Sequence, residues 1–521
     1  MKMIVQARIK PSEYHDSVSL MLVARELARQ EGVQDSAVVM ATEANKSILA
    51  GAGLLTPEIK AATANDLVLA VCAGEVSTAR LALEKAEELL KKKSTPGAAE
   101  TYRPKTIRSA LSLAPGTNLA VISVAGRFAA DEAWAALHHG LHVLLFSDNV
   151  TLEDEIALKK YACDHGLLLM GSGAGTAILN GTALGFANAL PRGPVGIISA
   201  AGTGLQEVST LLARSGVGIS QGIGTGGRDL KKEVGGRMML LALEALQQDP
   251  ATTVIVLISK PPAEEVAKII LEKASASHKP TIVCFLGGDL GRLAKASNVT
   301  AARTLQECSL LAANAVHPQS EDVRTRLLAE ETRLAEEAAG IKKTLNPSQR
   351  YLRGLFSGGT LCYEAQVIWK DMLTEPVSSN APLPGGPALS DSTRSLGHTA
   401  VDLGEEEFTV GRPHPMIDND LRIRRLLQEA HDPETAVLLL DVVLGYGAHP
   451  DPASELGPAI RQAREIARSG GRALPVVASV TGTEGDPQDI QRTISMLEEA
   501  GAVMCSSNAA AARLTGMIVS A

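Results

Sequence analysis

The sequence predicts an α/β chain of several domains, built on parallel sheets covered by helices. Three observations carry this. Hydrophobic residues are 45% of the 521 but aromatics only 3%, which suits parallel sheets better than an all-β fold, whose strands favour aromatics. Short, continuous apolar runs alternate with amphipathic stretches, the pattern of strands buried between helices. A strand–turn–helix segment also recurs in the second half with its landmarks in the same order. At roughly 150 residues per domain, three or four domains are expected. The net charge of −8 leaves no electrostatic footprint for nucleic acid. Cys72, Cys163, Cys284, Cys308, Cys362 and Cys505 form no C-x-x-C pair. With no signal peptide ahead of them, a reducing, cytoplasmic setting without a metal framework is expected. No apolar run reaches the roughly 18 residues a membrane span needs.

The elements follow in order. Residues 17–29 (SVSLMLVARELAR) read as a helix, 66–71 (DLVLAV) as a buried strand and 76–93 as a long helix. Residues 91–104, with Lys, Ser, Pro and Gly, read as a linker. Then come a strand at 119–124, a helix at 129–138, a strand at 143–146, a helix at 152–164 and a strand at 167–170. Asn149 or Thr151 is placed to cap the helix at 152, and Glu153, Asp154 and Glu155 suit its positive end. His138 and His139 fall on a helix surface. Strands are expected at 195–199, 253–259 and 281–285, a charged connector helix at 320–345, and strands at 437–443 and 474–480. Residues 374–405, rich in Pro, Gly and Ser, read as an insertion or surface loop. The domain boundaries expected are 1–190, 191–320, a connector at 321–348, and 349–521.

The repeat is the most informative feature. Residues 195–207 (VGIISAAGTGLQE) and 353–364 (RGLFSGGTLCYE) both give a strand, a turn of small residues, Gly-Thr, and a Glu four residues after the Thr. Gly227-Arg228 then matches Gly411-Arg412, and Asp249-Pro250 matches Asp432-Pro433. Each Asp-Pro precedes an apolar strand.

A strand ending in small residues lets the backbone approach a ligand. The helix that follows points free N–H groups at it, and these favour an anion such as phosphate. Ser199, Gly202 and Thr203 are so placed in the first copy, and Ser357, Gly359 and Thr360 in the second. A third candidate is the turn Leu444–Pro450, with Gly445, Gly447 and His449. Any one such turn is equally the mark of close helix–sheet packing. Arg228 and Arg412 are the cations best placed for phosphate or a carboxylate, unless they pair locally. His414, between two prolines, belongs to a pre-organised site or a rigid turn. Asp229 and Asp418 are expected to orient the arginines or cap helices, and Cys362 to lie in the core.

VGIISAAGTGLQE resembles the turn of the succinyl-CoA synthetase α subunit that opens its power helix, and residues 437–521 resemble the C-terminal domain of the β chain of that enzyme. The resemblance implies a Rossmann-like CoA-binding-type domain over 1–190, followed by two flavodoxin-like ligase-type domains. It places Glu207 where that family holds a phosphohistidine. Yet the loop Leu286–Gly291 has no His, no ATP-grasp segment is present, and residues 10–17 lack a G-x-G-x-x-G. No cofactor is therefore required, and CoA is only a possible ligand. HDSVSLM (15–21), FSDNVTLEDEI (146–156), GTGGRDL (224–230), SKPPAE (259–264), VGRPHPMID (410–418) and LLLDVVLGYGA (438–448) resemble the FdrA family. That resemblance implies a subunit of oxamate carbamoyltransferase, which works with partner subunits in anaerobic allantoin catabolism. The reaction moves a carbamoyl group between oxalurate and phosphate, with oxamate and carbamoyl phosphate on the other side. On this reading Glu207, Arg228, Arg412 and His414 are the catalytic candidates. The alternatives are a subunit of an ADP-forming acyl-CoA synthetase with its ATP-grasp part on a partner, and a non-catalytic scaffold.

Overall fold

The computed structural model describes residues 4–13, 20, 23–24, 26–27, 30–42, 45–46, 49–50, 52–92, 104–289, 298–318, 321–409 and 412–520. They form two units, Met1–Lys105 with Glu405–His414, and Thr106–Gly404 with Pro415–Ala521.

In the first unit, β1 (Ile4–Lys10), β2 (Val33–Met40) and β3 (Leu67–Ala73) form an antiparallel sheet in the order β1-β3-β2. Successive side chains of a strand face opposite ways, and central β3 (LVLAVCA) uses both faces. Leu67, Leu69, Val71 and Ala73 pack with Ala79, Leu83 and Leu90 of α2 (Val76–Lys92). Val68 and Ala70 pack with Val39, Leu49 and Ile59, the last on α1 (Pro57–Ala61).

A single Rossmann-like region over 1–190 is thus not what forms: its first 105 residues belong, with Glu405–His414, to a separate unit whose sheet is antiparallel. The edge strands β1 and β2 escaped the sequence reading because Gln6, Arg8, Asp35 and Ser36 interrupt their apolar runs. The expected helix at 17–29 lies largely outside the described residues, though Leu20, Val23, Ala24, Glu26 and Leu27 are helical. The expected linker at 91–104 lies mostly outside them too.

The second unit begins with α3 (Ile107–Leu113). A parallel three-stranded sheet follows, made of β4 (Leu119–Ile122), β5 (His142–Leu145) and β6 (Leu169–Met170) and linked by α4 (Gly126–His138) and α5 (Leu152–Asp164). Thr151, not Asn149, caps α5, its hydroxyl accepting from Asp154 N at 3.1 Å. A hairpin, β7 (Thr176–Leu179) and β8 (Thr182–Gly185), joins the edge of the next sheet.

That sheet carries β9 (Arg192–Ser199), α6 (Gly202–Arg214), β10 (Ile219–Gly224), α7 (Arg237–Gln248), β11 (Val254–Ser259), α8 (Glu264–Ser275), β12 (Thr281–Phe285), β13 (Val299–Ala301) and α9 (Leu305–Val316). After the connector α10 (Val323–Lys342) come β14 (Tyr351–Phe356), α11 (Gly359–Met372), β15 (Val377–Ser379), β16 (His398–Asp402), α12 (Glu406–Thr409), which belongs to the first unit, and α13 (Asp420–His431). β17 (Thr435–Val443), α14 (Pro452–Ser469), β18 (Val476–Thr481), α15 (Ile490–Glu499), β19 (Ala502–Cys505) and α16 (Asn508–Val519) close the chain.

The sheet orders β10-β9-β11-β12-β13 and β16-β14-β17-β18-β19 are the same parallel arrangement, the flavodoxin-like order 2-1-3-4-5. The repeat is therefore one of topology as well as sequence. Residues 374–405 differ from expectation: they hold β15 and β16, and β16 is buried along its length between β15 and β14. The segment HTAVD carries too few apolar residues to announce a strand. One core joins both domains, with Leu205 of α6, Leu305 of α9, Trp369 of α11 and Leu514 of α16 all in it. Among the described residues no helix is long and apolar enough to cross a membrane.

Candidate functional site

β9 and β14 each run into a turn of small residues, and α6 and α11 each open on Gly-Thr with no side-chain cap. The two helix starts abut. Thr360 N donates to Thr203 Oγ1 at 3.2 Å. A Cβ added at Gly358 would lie 2.9 Å from Thr203 Cγ2, and one at Gly204 3.1 Å from Thr360 Cγ2. Glycine at these positions is what allows the approach. The local reason is the repeat itself, since each copy brings a strand end and a helix start to the topological switch point of its sheet.

The two turns differ in what they bind. Ser199 is buried, and its hydroxyl accepts from Ala201 N (3.0 Å) and donates to Ala201 O (2.7 Å), closing its own turn. In the second copy Ser357 N and Gly358 N each donate to the Asp441 carboxylate at 2.7 Å, and Ser357 Oγ donates at 3.0 Å. Asp441 is fully buried and pairs with Arg422 at 3.1 Å. Beside it, a Cβ at Gly359 would lie 2.5 Å from Asp402 Oδ2. Sequence reasoning missed Asp441 and Arg422; the available signal was one Asp inside the apolar run LLLDVVL.

Glu207 lies one turn into α6 and is buried. Thr481 Oγ1 donates to one of its oxygens and Asn508 N to the other at 3.0 Å. Its counterpart Glu364 on α11 accepts from Leu305 N at 2.6 Å and from Asn508 Nδ2 at 2.8 Å. Each glutamate thus reaches the start of the last helix of the other domain, α16 or α9. Loss of water around the carboxylate raises the pKa of Glu207, and that of Glu364 to about 7.

Arg228 follows a backbone stretch that runs beside the first turn, where Thr225 N donates to Ser199 O at 2.8 Å. Its guanidinium turns elsewhere. Nη2 meets Glu155 at 2.7 Å, Val150 O at 2.8 Å and Ser172 Oγ at 2.5 Å. Lys159, fully buried, bonds Glu155, Asp229 and Thr225 O, each at 2.9 Å. Asp229 caps α7 through Met239 N at 2.9 Å. The arginine therefore pairs locally, as one of the two expectations held.

Arg412 and His414 fall in the first unit. Arg412 lines a cavity of about 50 Å³ there with Asp35, Asn45 and Leu54. Asp418 accepts from Asp420 N at the start of α13, and Cys362 is a core residue.

In the third turn, Gly445 (φ 115°) and Gly447 (φ 80°) take conformations that favour glycine. The turn is filled from within. Gly445 N donates to Gln488 Oε1 at 3.0 Å, and Tyr446 N to Ala187 O at 2.8 Å. His449 is buried. Its Nδ1 accepts from Asp451 N (3.1 Å), so the proton sits on Nε2, 3.2 Å from Glu455. Near this turn a cleft of about 800 Å³, bordered by Asn188, Arg214, Tyr446, Glu484 and Gln491, opens between the two flavodoxin-like domains.

Three family models match the chain. The CoA-ligase model covers residues 355–518, the CoA binding domain model 192–287, and a model described as AllF, heavy metal-associated domain, 3–105. The CoA-binding match thus lies on the first flavodoxin-like domain and not within 1–190, where sequence reasoning put it. The chain is 44% identical over 507 residues to the uncharacterized protein YahF of Escherichia coli (strain K12), covering 97% of each. It is 29% identical over 178 residues to the succinate–CoA ligase [ADP-forming] subunit alpha of Methanothermobacter thermautotrophicus, covering 33% of this chain and 57% of that one. Among solved structures, the apo dinucleotide-forming acetyl-coenzyme A synthetase 1 of Ca. Korarchaeum cryptofilum matches at 16% identity and a TM-score of 0.31, over 81% of this chain and 87% of that one.

Among the described residues of the first unit no thiolate pair is assembled for a heavy metal. Soft metals are held by paired thiolates or thioethers, whereas Cys72 is the single cysteine before residue 106 and sits within β3, opposite Val5 and Asp35. No cluster of three His, Cys, Asp or Glu able to hold a metal occurs among the described residues.

Proposed function

This chain belongs to the family of the Escherichia coli protein YahF, and from that premise we propose that it is a subunit of an acyl-CoA synthetase-like enzyme of the succinyl-CoA ligase type. The observation that carries the reading is the meeting of α6 and α11, start to start, in two domains of one topology, with Thr360 N on Thr203 Oγ1. The CoA-ligase and CoA-binding matches and the ligase relatives support it. In this proposal the uncapped amides of α6 and the Thr203 hydroxyl take the oxygens of a phosphoryl group, an arrangement that stabilises developing negative charge. CoA is a substrate, and a partner protein supplies the nucleotide chemistry. Arg228 acts as a positioning residue, holding segment 150–172 against 225–229.

A second reading has one observation in its favour. The loop after β12, Leu286–Gly291, carries no histidine, and Glu207 and Glu364 are bonded to the two domains themselves. Of the two glutamates only Glu207 falls where the resemblance places a phosphohistidine holder, and an enzyme that receives a ready-made acyl phosphate needs no such relay. Carbamoyl transfer between oxalurate and phosphate, by an oxamate carbamoyltransferase subunit, fits that requirement.

The test is to purify the chain with its partner proteins and run two assays. CoA- and ATP-dependent thioester formation that falls at least about tenfold in Thr203→Val supports the ligase reading. Phosphate-dependent cleavage of oxalurate without CoA or ATP replaces it with the second. Activity in either assay that is indifferent to Thr203→Val returns the chain to a scaffold role.

A further inference from the structure

We propose that Asp441 is a built-in anion that occupies the oxyanion cradle of the second flavodoxin-like domain and closes it to phosphate. The inference rests on the ligase-type reading of the two turns, but it concerns a residue that reading does not use.

The turn before α11 presents two successive amides. One carboxylate takes both at 2.7 Å and the Ser357 hydroxyl at 3.0 Å. Such short contacts to an ionised acceptor are the strong kind, and they take the two amides of the turn that leads into the helix start, where an anion is favoured. Asp441, Ser357 and Arg422 are each at most 2% exposed, so no path of solvent separates the carboxylate from its donors.

The charge is balanced in place. Arg422 Nη1 reaches Asp441 Oδ1 at 3.1 Å and also its carbonyl oxygen, while Nη2 donates to Asn419 Oδ1 at 2.9 Å. Among the described residues Arg422 Nε has no hydrogen-bond partner. A guanidinium this buried needs a counter-charge, and Asp441 supplies it.

The first copy lacks this device. Counted back from Gly202-Thr203 and Gly359-Thr360, the last residues of β9 and β14 are Ser199 and Phe356. Ser199 lies opposite Ile258 of β11, and Phe356 follows Leu355, the partner of Leu440, beside Asp441 of β17. Ile258 shares a core face with Val254 and Val256, and Asp441 falls on the face of Val437, Leu439 and Val443, so the equivalent positions are Ile258 and Asp441. An apolar side chain thus stands where the second copy has its carboxylate, and Ser199, with no carboxylate to bind, closes on Ala201. The duplicated turns have diverged by one residue in the spacing from Ser to Gly-Thr and at this position of the neighbouring strand.

The experiment is phosphate binding by the full-length chain, measured by equilibrium dialysis with labelled inorganic phosphate and by thermal unfolding in phosphate and in chloride at equal ionic strength. In Asp441→Gly the cradle and Arg422 remain but the carboxylate is gone. This variant is expected to bind one more phosphate per chain than wild type. Phosphate is expected to raise its melting temperature by about 4 °C more than it raises that of wild type. Asp441→Leu, which like the first domain puts an apolar side chain there, fills the space and is expected to gain neither. If Asp441→Gly folds only in phosphate, that dependence is the same positive result. Equal phosphate stoichiometry in wild type and Asp441→Gly, or an equal rescue of Asp441→Leu, overturns the proposal. Neither readout uses catalysis, so loss of the ligase reading and loss of this one are separable.

Discussion

Asn508 serves two carboxylates at once, Glu207 through its backbone N–H and Glu364 through its side-chain amide. Burial dominates the titration of Glu364, with the nearby charge of Glu207 pushing the same way and Arg513 opposing it. Its pKa of about 7 lies above the ordinary 4.5. A raised carboxylate pKa means that the folded protein binds the proton more tightly than the unfolded one. The stabilisation is then full below pH 4.5 and is lost as pH rises through about 7. Wild type should lose up to about 3 kcal/mol from this group between those limits. Glu364→Gln should flatten that part of the profile, as read from urea midpoints across pH. At the same scale, Lys159 lies between Glu155 and Asp229 with none of its side chain exposed. Lys159→Met leaves two buried carboxylates facing one another with one cation fewer, and should cost about 3–5 kcal/mol in urea unfolding. Arg228→Ala should cost less, about 1–3 kcal/mol, because Lys159 still pairs with Glu155.

At the scale of elements, the contact between α6 and α11 depends on missing side chains. Gly358→Ala places a methyl 2.9 Å from Thr203 Cγ2 and should lower stability by about 1–3 kcal/mol. Thr203→Ser removes that methyl, keeps the hydroxyl that accepts from Thr360 N, and should recover most of the loss in the double variant. A double-mutant cycle reads the coupling. If the two substitutions add, the helices do not meet at these residues. The elements were legible to different degrees. DLVLAV and TAVLLLDV were readable as strands because continuous apolar runs mark strands buried on both faces; LAVISV was readable from its run alone, since β4 leaves Val121 exposed. HTAVD and IVQARIK were not. The first has few apolar residues and is buried by its neighbours; the second is an edge strand whose polar residues break the run.

At the scale of the whole molecule, α6, α9, α11 and α16 contribute to one hydrophobic core shared by the two flavodoxin-like domains. They should therefore melt together, giving one calorimetric transition for this body, and Asn508→Ala should shift that transition as a whole. A fragment of residues 349–521 alone would expose the apolar faces of α11 and α16 and should aggregate; a soluble fragment with native circular dichroism would contradict the shared core.

By itself the sequence determined the α/β class, the parallel sheets and the duplication, because strand runs, glycine turns and helix starts are local patterns that the backbone must obey. It also located the turns at Ser199–Thr203 and Ser357–Thr360. Tertiary structure alone decided which groups fill those turns and what the glutamates hold. Ser357 meets a carboxylate 84 positions away, and Glu207 a backbone N–H 301 positions away. The same Gly-Thr turn meets an apolar side chain or a carboxylate depending on whether the adjoining strand brings Ile258 or Asp441 beside it. That depends on sheet register, and no pattern within the turn encodes it.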